Sequence, residues 1–89
     1  MHETGTVMDL APRFAVNLRR ARKAAGIAQV ELSERCGLHR TEVSVLERGE
    51  RAPRLGMIVK LASALDIGVG SLCAGMAWDE DAQRFVVEK

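Results

Sequence analysis

Apolar and polar positions alternate with a helical period along most of this chain. Phe14, Leu18, Ala21 and Ala25 recur at i, i+4, i+7 and i+11, which gathers them on one side of a first helix. Arg13, Asn17, Arg19, Arg20 and Lys23 fall off that side. Asp9 can cap the start, Pro12 is tolerated in an opening turn, and Gly26 can end the helix. Ile27, Leu32 and Cys36 fit one side of a second helix over 28–36, and Gly37 then interrupts. Leu38, Val43 and Leu46 form the inward set of a third helix over 39–48, closed by Gly49. After a connection over 50–53, Leu55, Ile58, Val59, Leu61, Ala62 and Leu65 mark a fourth helix. Asp66 and Gly68 punctuate before a short fifth helix over 69–73. Five short helices joined by few residues predict a compact all-α domain.

The periodicity changes after Gly75. Met76-Ala77-Trp78 and Arg84-Phe85-Val86-Val87 flank the polar run Asp79-Glu80-Asp81-Ala82-Gln83, which suggests a short C-terminal β-hairpin. A lone hairpin is marginal in water, so it should pack on the fifth helix or pair with another subunit. Disorder beyond Trp78 is the alternative. Residues 1–8 carry no period and read as a loose tail. The expected organisation is a tail over 1–8, a helical domain over 9–73 and an extension over 74–89.

Composition narrows the picture. Eighty-nine residues, 47% of them hydrophobic, suit one domain whose helices share a single small core. An aromatic content of 3% with no Tyr argues against a β-sandwich. No apolar run approaches the roughly 18 residues needed to cross a bilayer, and no charged-then-apolar leader opens the chain. A cytoplasmic protein without a membrane partner is expected. Cys36 and Cys73 are too few for a disulfide framework and read as small buried hydrophobes. The Cys36-x-x-His39 pair lacks the second pair that a four-ligand zinc site requires. No metal and no cofactor is expected, and redox-dependent dimerisation through a thiol is the remaining use of these cysteines.

The formal charge of +1 is unevenly spread. Residues 13–54 hold ten bases against five acids, whereas residues 55–89 carry −2. Nine of those ten bases are Arg, whose planar fork suits phosphates and base edges. A basic middle with acidic ends fits one nucleic-acid face and a separate partner face, although basic faces are often merely solvated. Two short helices about Gly37, the second carrying His, Arg, Thr and Ser outward, have the form of a helix-turn-helix.

In Gln29, Glu31-Leu32, Gly37 and Glu47-Arg48-Gly49 the chain resembles the Cro and phage-repressor (XRE) family. The resemblance covers about residues 14–72. It implies a five-helix, lambda-repressor-like helix-turn-helix domain that binds double-stranded DNA. By the same resemblance Gln29 meets a backbone phosphate, and Arg48, Arg51 and Arg54 lie where flanking phosphates are touched, with Arg54 alternatively entering the minor groove. Arg22 and Glu47 match a structural ion pair that locks the third helix to the first. Ala28, His39 and Arg54 stand where the family commonly has a capping Ser or Thr, and Ser33 stands at a tight contact usually held by Ala. Its hydroxyl is expected to bond back to its own helix.

Arg40 can pair bidentately with guanine, Thr41 and Ser44 can donate or accept, and the methyls of Thr41 and Val45 can meet a thymine methyl. His39 belongs to the same face, as a cap or phosphate contact more than a reader. Asn17 joins the candidate phosphate contacts. Glu42 would repel phosphate and is expected to reach back to the start of its helix. A homodimeric repressor reading a pseudo-palindrome is the leading expectation, with Val69, Leu72, Met76, Trp78, Phe85 and Val87 as its dimer surface. An antitoxin or adaptor that holds a toxin or co-regulator is the alternative. Two His, no phosphate-binding Gly loop and no metal cluster leave an enzyme little chemistry.

Overall fold

The computed structural model describes residues 9–88, so the expected tail over 1–8 lies outside the described residues. Five helices precede one hairpin, as the residue pattern predicts: α1 (Ala11–Ala25), α2 (Gln29–Arg35), α3 (Arg40–Glu47), α4 (Leu55–Ala64), α5 (Val69–Leu72), β1 (Met76–Asp79) and β2 (Arg84–Val87). Phe14, Leu18, Leu32, Val43, Leu46, Leu61 and Leu72 meet in one core that all five helices share. No helix among the described residues is long and apolar enough to cross a membrane.

The α1 stripe is turned slightly from the expected one. Phe14 and Leu18 are buried as their spacing requires, but Ala25 is exposed, and Ala11 and Ala15 are buried instead. The last turn of α1 runs along the surface, so the core side favours its first half. At the start, Asp9 Oδ1 accepts the Ala11 N–H at 2.9 Å. The second and third helices are each shorter than 28–36 and 39–48. Ala28 and His39 have extended backbones, and Cys36 and Arg48 follow the last helical residues as caps.

Helices α1 to α4 share one closure. An N–H two residues past each cap-adjacent turn reaches back five residues, Ile27 to Arg22, Leu38 to Ser33, Glu50 to Val45 and Ile67 to Ala62. The left-handed residue in each closure is Gly26, Gly37, Gly49 or Asp66. A side chain at such a position is strained unless it is short and polar, which Asp66 is. Gly49 carries a second constraint: with φ at 71°, a Cβ there would lie 3.2 Å from Pro12 Cα. The end of α3 therefore rests on the first turn of α1, backbone against backbone.

The hairpin pairs Met76 with Val87, Ala77 with Val86, Trp78 with Phe85 and Asp79 with Arg84. Asp79 Oδ1 accepts the N–H groups of Asp81 and Ala82 at 3.0 and 3.1 Å, which folds the loop between the strands. Its base is fixed by α1. Buried Asn17 donates through Nδ2 to the carbonyls of Leu72 (2.9 Å) and Ala74 (3.0 Å), and Arg13 donates to the carbonyl of Glu88. Met76 packs against the core, whereas Trp78 and Phe85 stay exposed and meet edge to face, with ring centroids 5.0 Å apart.

Candidate nucleic-acid interface

The third helix has a clean division of faces. Val43, Leu46 and Glu47 are buried, Arg40, Thr41 and Arg48 are exposed, and Ser44 and Val45 lie between. Its apolar side is fixed to α1 and α2, so the polar side is held outward by packing rather than by its own charges. His39 supplies the cap that the sequence lacks in Ser or Thr. Its Nδ1 accepts the Thr41 N–H at 3.2 Å and lies 2.9 Å from Thr41 Oγ1. An accepting Nδ1 puts the ring proton of the neutral imidazole on Nε2. Ser33 is fully buried, and its hydroxyl reaches the Arg40 carbonyl of the next helix at 3.5 Å instead of bonding within α2.

Beneath α3 lies a carboxylate that gathers three helices. Glu47 is 2% exposed, and Arg22 meets it with Nε at 2.6 Å and Nη2 at 3.0 Å. Gln29 Nε2 donates to the same carboxylate at 2.9 Å, and Arg19 donates to the Glu47 main-chain carbonyl at 2.6 Å. Burial alone would push the Glu47 carboxyl up. The hydrogen bonds from Arg22 and Gln29, with the charges of Arg22 and Arg19, hold it below its ordinary value instead. The same hydrogen bond to Glu47 raises Arg22 further. Gln29 thus sits at the start of α2 with one amide hydrogen committed to the fold and one left over.

Around this centre runs a basic rim. Arg48 holds Glu50 through Nε (2.6 Å) and Nη2 (3.3 Å), and its Nη1 donates to Ser44 Oγ. That contact with Arg48 holds the Glu50 carboxyl below its ordinary value. Arg51 reaches Glu42 at 2.6 Å. Glu42 is therefore turned toward the loop after α3 and not toward the start of its own helix, because a cation stands within its reach there. Arg54, the residue before α4, and Arg40 are exposed and make no hydrogen bond through their guanidinium with another described residue. Arg51, Pro53, Arg54, Met57 and Lys60 line a groove of about 590 Å³ between the loop and α4.

Two expected site residues do not belong where the sequence suggests. Asn17 is buried and both amide hydrogens serve carbonyls near the hairpin, so no donor is left for a phosphate. Leu72 is fully buried in the core, so it cannot lie on a dimer surface. Of the other residues on that surface, Val69, Trp78 and Phe85 are exposed, while Met76 and Val87 are half-buried. Sequence reasoning also missed Arg19 as a support for α3 and Glu50 as the partner of Arg48. A short spacing hinted at the second; nothing local marked the first. Cys36 is buried and Cys73 half-buried, both as free thiols, and burial pushes the Cys36 thiol up. Among the described residues no group of three or more His, Cys, Asp or Glu could hold a metal ion.

A short helix held outward over a buried ion pair, with a basic rim, has the form of a helix-turn-helix domain. The sequence profile of the helix-turn-helix family matches residues 18–72, and the chain belongs to that family, in its XRE-type branch of DNA-binding transcriptional regulators. It is similar to the control protein C.SmaI of Serratia marcescens, 38% identical over 65 residues, which cover 73% of this chain and 77% of that protein. Among solved structures it is similar to the restriction-modification controller protein C.AhdI of Aeromonas hydrophila, with 42% identity, a TM-score of 0.67, and coverage of 70% of this chain and 94% of that one. The P22 c2 repressor, solved with a synthetic operator, matches at 27% identity and a TM-score of 0.62 over 66% of this chain and 89% of that one. The match spans from 26% to 78% of the length of the curated relatives.

Proposed function

We propose that this protein is a homodimeric, sequence-specific repressor that seats α3 in the DNA major groove. One observation carries the reading: the outward face of α3 is polar and open, with Arg40 unpaired among the described residues, while its inward face is locked by the core and by Glu47. Arg40 reads guanine, Thr41, Ser44 and Val45 meet neighbouring bases, and His39 lies at the edge of that set. Gln29, Arg48, Arg51 and Arg54 touch phosphates and fix the register. The likeness to controller proteins and to an operator-bound repressor supports a regulator of transcription. Residues 74–89 and Val69 of α5 supply its dimerisation surface, with Val69, Trp78 and Phe85 as the exposed apolar contacts and Met76 and Val87 at their margin.

Selection from a random duplex pool tests binding and symmetry together. Enriched sequences should be pseudo-palindromic, with half-sites about one helical turn apart. Arg40→Ala should cost about 1–3 kcal/mol on the selected site and relax preference at one position in each half. A pool that enriches nothing, or a flat response of affinity to salt, would remove the reading.

A further inference from the structure

We infer that Glu42 and Glu50 are negative determinants of DNA affinity, side chains that occupy the phosphate-binding forks of Arg51 and Arg48 until a duplex displaces them. This inference rests on the DNA-binding reading and deepens it. Arg48 has all three guanidinium nitrogens engaged, two on Glu50 and one on Ser44. Its side-on pair of donors, the arrangement that grips a phosphate bidentately, is spent on a carboxylate. Arg51 holds Glu42 from across the loop. Arg40 and Arg54 are exposed and have no such partner among the described residues. The rim thus carries two kinds of cation, compensated and uncompensated.

A duplex can meet the compensated pair in only two ways. Either Glu42 and Glu50 stay in place and stand near the phosphates, or the guanidinium groups swing over and leave two carboxylates beside the backbone. Both outcomes oppose binding by like-charge repulsion. Neither depends on base sequence, because phosphates carry none. The pairs themselves contribute little to the fold, being half-exposed on at least one partner and screened by water. Their effect falls on the bound state.

The experiment measures the affinity of the full chain for the selected duplex and for a scrambled one across a salt series, with Glu42→Gln, Glu50→Gln and the double variant. Each single variant should bind both duplexes roughly three- to tenfold more tightly at low salt, and its salt dependence should steepen by up to about one in the log–log slope. Glu80→Gln is the control. It removes an equal charge from an exposed carboxylate in the loop between β1 and β2, outside the helical region that carries the proposed phosphate contacts. It should gain less than twofold. Equal gains in the control, no gain in the test variants, or a change confined to the selected duplex would each overturn the inference; the last would mean that Glu42 reads a base. Failure of the unaltered protein to bind either duplex at low salt would instead remove the DNA-binding reading, and the inference with it.

Discussion

The two halves of this molecule are held by opposite means. Helices α1, α2 and α3 converge on one buried carboxylate, Glu47, which meets Arg22 and Gln29 directly and Arg19 through its backbone. The hairpin has a four-rung ladder, one exposed aromatic pair and two tethers to α1, from Asn17 and Arg13. The first half is tightly held: losing Arg22 would strand the Glu47 charge away from water, and losing Gln29 or Arg19 would remove a hydrogen bond to Glu47. The second is loosely committed, and its apolar surface faces outward. The helix with the open polar face is held in one orientation by the core, whereas the aromatic pair of the hairpin stands open to solvent.

Breaking the first half should have the largest effect. Glu47→Gln leaves Arg22 facing a neutral group and should cost about 3 kcal/mol in urea unfolding, the low end for a buried pair because Arg22 keeps some contact with water. The same carboxylate governs the acid limb. Its folded pKa lies below the ordinary 4.5, so its stabilisation is complete above that pH and disappears as pH falls through the lowered folded value. In Glu47→Gln this part of the pH dependence should be absent; an unchanged acid limb would assign it to other carboxylates.

Smaller changes separate the hairpin from the body. Asn17→Ala leaves the buried Leu72 carbonyl without its donor and should cost about 2 kcal/mol. Amide exchange should then quicken in the hairpin more than in α3, and equal acceleration throughout would contradict two independently held halves. Trp78→Ala should cost about 1 kcal/mol for the lost aromatic pair, yet weaken self-association far more when followed by sedimentation. Finally, Ala28 has the extended backbone of a helix cap and no side-chain oxygen, so Ala28→Ser should raise stability by up to about 1 kcal/mol. A melting temperature that stays level or drops would mean that α2 does not begin at Gln29.

Most of the helical half could be read from spacing alone, since Phe14, Leu18, Leu32, Val43 and Leu46 fall at helical intervals and are all buried. The hairpin was equally legible, because its apolar runs flank a polar turn. Partners distant in sequence were not. Asn17 falls off the Phe14–Leu18 stripe with Arg13, Arg19 and Arg20, and its partners are two carbonyls more than fifty residues away. Leu72 looks the same in sequence whether it faces the core or another chain, and only the packing of α5 decides. Glu42 occupies the position from which a side chain can turn back to its helix start, but Arg51 competes for it from the following loop. Helix ends moved by one residue because Ala28, Cys36, His39 and Arg48 cap without joining. The Arg22–Glu47 contact was visible only through family resemblance, as neither residue is marked by its neighbours.

The seat of Gly49 on Pro12 has a consequence for how this protein can fail. A Cβ added there would lie 3.2 Å from Pro12 Cα on a backbone with φ at 71°, so the first turn of α1 must give by a few tenths of an ångström while the turn itself is strained. Gly49→Ala should therefore lower the melting temperature, and any yielding should appear as changed amide shifts at the end of α3 and the start of α1 together.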